Sequence, residues 1–132
     1  MITNNGKDVI RRFFAGQVPQ IAGTMVFGTG TTAETVDDVA LETEVVRASI
    51  TSINADLANS RIVFKATLQP GQIPTISEVG LYSSVYFTGS AMITDPLDRS
   101  NLLVARTVLD IPQTTDANVP SEIEYSLEIN IT

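Results

Sequence analysis

The sequence predicts a mainly β chain: an antiparallel β-sandwich of about six to eight strands with one short N-terminal helix. Three observations predict it. Residues 122–131 alternate polar and apolar without a slip, the period-two signature of a strand with one face in a core and the other in water. Apolar and β-branched runs recur at 21–27, 44–53, 60–68, 77–87 and 102–111, punctuated by Gly, Pro, Asn and Asp. The spacers between these runs hold no crossover helix of the kind that parallel strands need.

Taken in order, the first element is the helix. Residues 5–16 put Val9, Ile10, Phe13 and Phe14 on one stripe and Lys7, Arg11 and Arg12 on the wet side, with Gly16 and Pro19 as stop signals. A strand at 21–27 breaks at Gly28-Thr29-Gly30-Thr31-Thr32, which opens a polar loop reaching Ala40. Runs 44–53 and 60–68 flank Asn54-Ala55-Asp56-Leu57-Ala58-Asn59 and form an antiparallel hairpin. In the second run Ile62, Phe64, Ala66 and Leu68 share one face while Arg61, Lys65 and Thr67 share the other.

Pro70-Gly71 and Pro74 mark a loop, and 77–87 returns to strand character around Gly80. Thr88-Gly89 is a turn, Ala91-Met92-Ile93 a short strand, and 95–101 a loop. Run 102–111 is apolar on both faces, Leu102, Val104 and Val108 on one and Leu103, Ala105, Leu109 and Ile111 on the other, so it must be covered twice. The closing strand turns Glu122, Glu124 and Glu128 to solvent and is expected beside the 102–111 strand. The expected organisation is a single β domain over 1–132, with 1–20 as helix and docking segment and 21–132 as β-sandwich.

Composition narrows the function. A chain of 132 residues with 43% hydrophobic and 17% charged residues is apolar for its size, which predicts an oligomer or a docked partner. A net charge of −7 opposes nucleic-acid binding, which rests on Lys and Arg replacing counterions. The absence of cysteine removes disulfides and thiolate metal sites. No stretch approaches the roughly 18 apolar residues of a spanning helix, so no membrane partner is expected. Arg11-Arg12 before Phe13-Phe14 echoes a signal peptide faintly, but Gln17, Pro19 and Gln20 interrupt any apolar core, so no export signal is read.

The motifs favour structure over chemistry. Gly28-Thr29-Gly30-Thr31-Thr32 lacks the Lys and the following helix of a phosphate loop, so Gly28 and Gly30, with Gly80, read as structural turn positions. Glu34, Asp37, Asp38, Glu42 and Glu44 crowd one loop; their spacing does not match an EF-hand, and they read as a solvated acidic loop. Without His or Cys, and with Glu122 and Glu124 on a wet face, the chain reads as a non-enzyme with no catalytic, metal or cofactor residues. Arg47 and Arg106 interrupt β-rich runs and call for carboxylates, with Glu44 and Glu78 as partners in structural ion pairs. Tyr82, Tyr86 and Phe87 read as core or interface.

Gly28-Thr29-Gly30-Thr31-Thr32-Ala33, Leu41-Glu42-Thr43-Glu44 with Val46-Arg47, Ile76-Ser77-Glu78-Val79-Gly80-Leu81-Tyr82, and Leu103-Val104-Ala105-Arg106-Thr107, taken in order, form one pattern. It resembles small β-rich structural proteins of tailed bacteriophages. The resemblance covers residues 5–131 and implies a virion component assembled in the host cytoplasm: capsid decoration, head fibre, or a fibre, collar or baseplate subunit. It implies a homo-oligomer, with a trimer favoured, bound to other virion proteins. Val9, Ile10, Arg11, Arg12, Phe13 and Phe14 are the expected docking element. The alternative is a carbohydrate-binding or host-adhesion module that uses Tyr82, Tyr86 and nearby acidic groups to bind a host glycan.

Overall fold

The structure, a computed structural model, describes residues 1–88, 91–92 and 101–128. The expected turn at Gly89, the loop over 95–100 and the end of the closing strand, 129–131, lie outside the described residues, as do the side chains of Tyr86 and Phe87. Among the described residues the elements run α1 (Asn4–Phe14), β1 (Thr24–Gly28), β2 (Glu44–Asp56), β3 (Arg61–Leu68), β4 (Thr75–Thr88), β5 (Ala91–Met92), β6 (Asn101–Thr114) and β7 (Ser121–Glu128).

The chain is mainly β with one N-terminal helix, and among the described residues every strand pairing is antiparallel. In place of a sandwich of two separate sheets, one hydrogen-bonded path runs β5–β4–β1–β2–β3–β7, with β6 also on β4. The sheet curls because β2 changes partner along its length. Its first half, Glu44 to Ser49, pairs with β1, and its second half, Ile50 to Asp56, pairs with β3. The register slips between Ile50 and Ser52, and an extra residue at such a point bends and twists the strand. The β2–β3 connection is a single 3-10 turn at Leu57–Asn59, closed by Ser60 in the left-handed conformation at φ 54°.

Thr3 caps α1 by accepting the Gly6 N–H at 2.9 Å, and its hydroxyl donates to the Leu103 carbonyl. The last turn carries Arg11 and Arg12, which suit the negative end of the helix dipole, and Gly16 follows at φ +74°. The residues before the helix run along β6: Ile2 bridges Ala105, and Thr3 N–H donates to the Val104 carbonyl at 3.0 Å. Gly6 lies so near β6 that a Cβ there would fall 2.0 Å from the Val104 oxygen. Residues 1–10 of the expected 1–20 helix and docking segment are therefore packed into the β domain.

Inside the curl, Val9 and Ile10 of α1 join Met25, Phe27, Phe64, Leu68, Leu81, Val104, Tyr125 and Leu127 in one apolar cluster. A second, smaller cluster of Val26, Leu41, Tyr82 and Leu103 lies apart from it. Strand β6 is thus covered twice, but its faces differ from simple alternation. Leu81 pairs with Ala105 while Tyr82 pairs with Leu103, so a bulge sends Leu103 and Ala105 to opposite faces.

Strand β7 pairs with β3 and not with β6, which corrects the expected neighbour. Strands β6 and β7 meet across the curl, where the Tyr125 and Thr107 hydroxyls share a hydrogen bond of 2.7 Å. Glu122, Glu124 and Glu128 face solvent, and Lys65 Nζ lies 3.5 and 3.3 Å from Glu122 and Glu124.

Candidate functional site

The most heavily engaged polar group of the described residues is the carboxylate of Glu78. It stands on β4 opposite Gly28 of β1 and is fully buried. Its Oε1 accepts from Arg106 Nε at 2.9 Å and from the Glu42 N–H at 2.9 Å. Its Oε2 accepts from the N–H groups of Gly30 at 2.7 Å and Thr43 at 2.8 Å. Arg106 spends its other nitrogens on Asp38 Oδ2 at 3.0 Å and the Thr32 carbonyl at 2.8 Å. One ion pair between two strands thereby straps the loop joining β1 and β2 onto the outer face of the sheet.

Burial alone would push the Glu78 carboxyl up, but the Thr43 N–H, the Arg106 guanidinium and the Glu42 and Gly30 N–H groups together hold it below the usual range. For Asp38, too, burial works upward, and the Thr35 N–H and Arg106 outweigh it. Both carboxylates therefore stay charged beside Arg106 at neutral pH.

Crowding around this carboxylate explains both glycines. A Cβ on Gly28 would lie 2.3 Å from the Thr43 carbonyl oxygen and 2.7 Å from Glu78 Oε2, and one on Gly30 would lie 2.3 Å from Glu78 Oε2. Neither has positive φ, so what the site requires is close approach rather than unusual backbone. Gly80 serves Leu41, whose Cδ2 would sit 2.9 Å from a Cβ there.

The acidic loop is only partly the solvated surface its composition suggested. Glu34 accepts the Val108 N–H at 3.2 Å, Asp37 accepts from Asn4 Nδ2 at 2.9 Å, and Asp38 holds Arg106. Glu42 binds the Thr31 N–H and the Thr32 hydroxyl within the loop. Among the described residues, no three acidic groups are placed to hold one metal ion.

Arg47 and Glu44 form a second pair, doubly hydrogen-bonded at 2.7 and 3.0 Å but exposed. The Arg47 guanidinium lies over the Tyr82 ring, 4.6 Å from its centroid, and Tyr82 is otherwise buried with Leu41 and Leu103. That ring is no open platform for a sugar, which removes Tyr82 from the host-glycan reading.

The expected docking stripe divides in two. Val9 and Ile10 are buried in the chain's own core and present nothing to a partner. Phe13 and Phe14, at 37% and 62% exposure, lie at the surface with ring centroids 6.0 Å apart. Arg11 pairs with Asp8 at 2.9 Å, and Arg12 reaches Gln17 at 3.4 Å. Beside Phe13 opens a groove of about 420 Å³, walled by residues 19–21 and by Ile50, Ile53 and Ile62.

Sequence reasoning placed Asp38 and Thr32 in surface loops without joining them to Arg106, and it missed Thr3 and this groove. Thr3 had a readable signal, a hydroxyl residue just before a helix. Asp38 had none, since 68 residues separate it from Arg106. Comparison with known protein families and with curated proteins finds no match to this chain.

Proposed function

We propose that this chain is a structural component of a tailed-bacteriophage virion and works by protein–protein assembly, without catalysis or cofactor. It serves as a capsid decoration or head-fibre protein, or as a fibre or tail-attachment subunit, in a homo-oligomer for which a trimer is favoured. The order and spacing of the segments around Gly28, Glu44, Glu78 and Arg106 carry the phage part of this reading.

The observation that carries the assembly part is the exposed Phe13–Phe14 pair, held out by a helix whose first turns are locked against β6. Exposed aromatics on a rigid element lose little side-chain entropy when covered, and aromatics are enriched in interface cores.

Particles of the virus that encodes the chain, purified on a gradient, should contain it at a fixed copy number by mass spectrometry. Its absence from particles overturns the reading. The variant Phe13→Ser/Phe14→Ser should keep the β-sheet circular dichroism of the parent and fail to incorporate; normal incorporation would remove the aromatic pair from the interface.

A further inference from the structure

We propose that residues 29–43 form an acid-released latch: protonation of the Glu78 carboxylate lifts the loop off β4 and β6, and Leu41 out of its seat, while the sheet itself stays folded. This goes beyond the virion reading and does not depend on it.

The geometry at Glu78 suits the charged form alone. Its partners are Arg106 Nε at 2.9 Å and the N–H groups of Gly30, Glu42 and Thr43 at 2.7, 2.9 and 2.8 Å, and all four are donors. A protonated carboxyl is a donor on one oxygen and needs an acceptor there. Each Glu78 oxygen already faces two N–H groups, so a proton on either would set donor against donor. Arg106, at 2% exposure, would also lose its closest counter-charge. Lifting the loop admits water, which accepts from both the carboxyl and the guanidinium.

The rest of the loop is fastened in the same way. Asp38 accepts from Arg106 Nη1 at 3.0 Å, Glu34 from the Val108 N–H at 3.2 Å and Asp37 from Asn4 Nδ2 at 2.9 Å. The carbonyls of Thr32 and Val36 add two ties that acid leaves alone, to Arg106 and to the Asn4 N–H. The sheet is held differently. Backbone ladders and the large apolar cluster join its strands, and neither loses its bonds in acid. Its other ion pairs, Arg47–Glu44, Arg61–Asp56 and Lys65 with Glu122 and Glu124, lie at the surface, where such pairs contribute little.

What the loop covers is small enough to give up. Leu41 sits over Gly80, where a Cβ would meet its Cδ2 at 2.9 Å, and packs with Val26, Tyr82 and Leu103 apart from the main core. Opening therefore breaks the lesser cluster and spares the larger one.

The ionisable groups around Glu78 act in one direction. Strand β6 contributes Arg106; the loop contributes Glu34, Asp37, Asp38 and Glu42; β2 contributes Glu44, which is engaged by Arg47. The Met1 amino group donates to the Arg106 carbonyl at 2.9 Å, and β1 carries no charge. In acid the two cations remain and the carboxylates neutralise. The closed loop holds Glu78, Asp38 and Glu42 below their ordinary values, so it binds protons less readily than the open one, and falling pH shifts the population towards opening.

The test is hydrogen–deuterium exchange with mass spectrometry on the full chain, corrected for intrinsic rates, comparing peptides of residues 29–43 with peptides of β3 and β7 between pH 7 and about pH 3. Loop protection should fall at least about tenfold on acidification, while β3 keeps its protection and the circular dichroism its β signal. Glu78→Gln sets an amide donor against the same N–H groups without acid, so its loop should exchange at pH 7 as the parent's does in acid. If Glu78→Gln does not fold by circular dichroism, Asp38→Asn removes a more exposed fastening and should raise the pH at which the loop opens. The proposal is overturned by loop protection that persists through the acid range, by loop and β3 losing protection together, or by variants whose loops open at the parental pH.

Discussion

Arg106 Nε lies 2.9 Å from Glu78 Oε1, with Glu78 fully buried and Arg106 at 2% exposure. The pair links β4 to β6 on the face that the loop between β1 and β2 covers, and three N–H groups of that loop end on the same carboxylate. Its significance is therefore as an anchor for the loop as much as an attraction between two charges.

Removing one partner should be severe. Glu78→Ala strands the Arg106 charge together with the N–H groups of Gly30, Glu42 and Thr43, and a loss of about 3–5 kcal/mol is expected for a broken buried pair. In many proteins a paired apolar replacement recovers such a loss. Here Glu78→Met/Arg106→Met should remain at least about 2 kcal/mol below the parent, because each unsatisfied N–H costs about 1–3 kcal/mol. Urea denaturation of the two single variants and the double variant measures this, and parental stability in the double variant would show that water replaces the carboxylate on the loop.

Acid should loosen the same anchor. Glu78 and Asp38 are held below their ordinary values of 4.5 and 3.8, so the folded state binds their protons less readily than the unfolded one. Their contribution is fully present above those ordinary values and is lost as pH falls through the lower folded ones. The unfolding free energy should change little on this account above about pH 5 and decline steadily below it. Glu78→Gln should flatten part of that decline; an acid limb as steep as the parent's would assign it to other carboxylates.

Alkali tests the meeting of β6 and β7. Burial pushes the Tyr125 phenol up to about 12, with the Thr107 hydrogen bond pulling it partly back and the Glu34 charge adding to the rise. A folded value above the unfolded one means that the stabilisation is full below pH 10 and disappears as pH rises towards 12. Tyr125→Phe should cost about 1 kcal/mol at neutral pH through the lost bond to Thr107. It should also reduce the alkaline loss of stability, leaving the share due to Tyr82, whose phenol is raised as well, chiefly by burial. Guanidinium titrations at neutral and alkaline pH separate the two effects.

Gly6→Ala reverses the usual helix rule. Intrinsic propensity favours Ala over Gly inside a helix by about 1 kcal/mol. At Gly6 the added Cβ would fall 2.0 Å from the Val104 oxygen, so the helix must lift from β6. The expected result is a loss of at least about 2 kcal/mol, in the range of overpacked sites, read from the thermal midpoint. A gain in midpoint would mean that α1 sits less tightly on β6 than this contact requires.

Much of the strand inventory is legible in the chain because side-chain alternation is local: β3 announces itself in Ile62, Phe64, Ala66 and Leu68, and β7 in the Glu122 to Leu127 pattern. The site is legible in part, for an Arg inside an apolar run such as 102–111 signals a charge that must find a carboxylate. The loop completing it is not, since Gly30, Asp38 and Thr43 reach Glu78 and Arg106 only once β1, β4 and β6 lie side by side.

Two features had no local signal. The bulge that puts Leu103 and Ala105 on opposite faces breaks the period-two assumption itself. The division of Val9 and Ile10 from Phe13 and Phe14 depends on how far β6 and its neighbours extend beneath the helix, a length that the helical repeat does not contain.

By itself, then, the amino-acid order determined the β class, the single helix at its start, the hairpin of β2 and β3 and the need of Arg106 for an acidic partner. All of these follow from periodicity, turn chemistry and the cost of burying charge within short stretches of chain. The tertiary structure decided that the sheet curls as one piece through the split pairing of β2, that Glu78 anchors a loop as well as an arginine, and that Phe13 stays at the surface while Val9 and Ile10 are buried. Those outcomes depend on which distant strands meet and in what register, and register is set by contacts summed over the whole sheet.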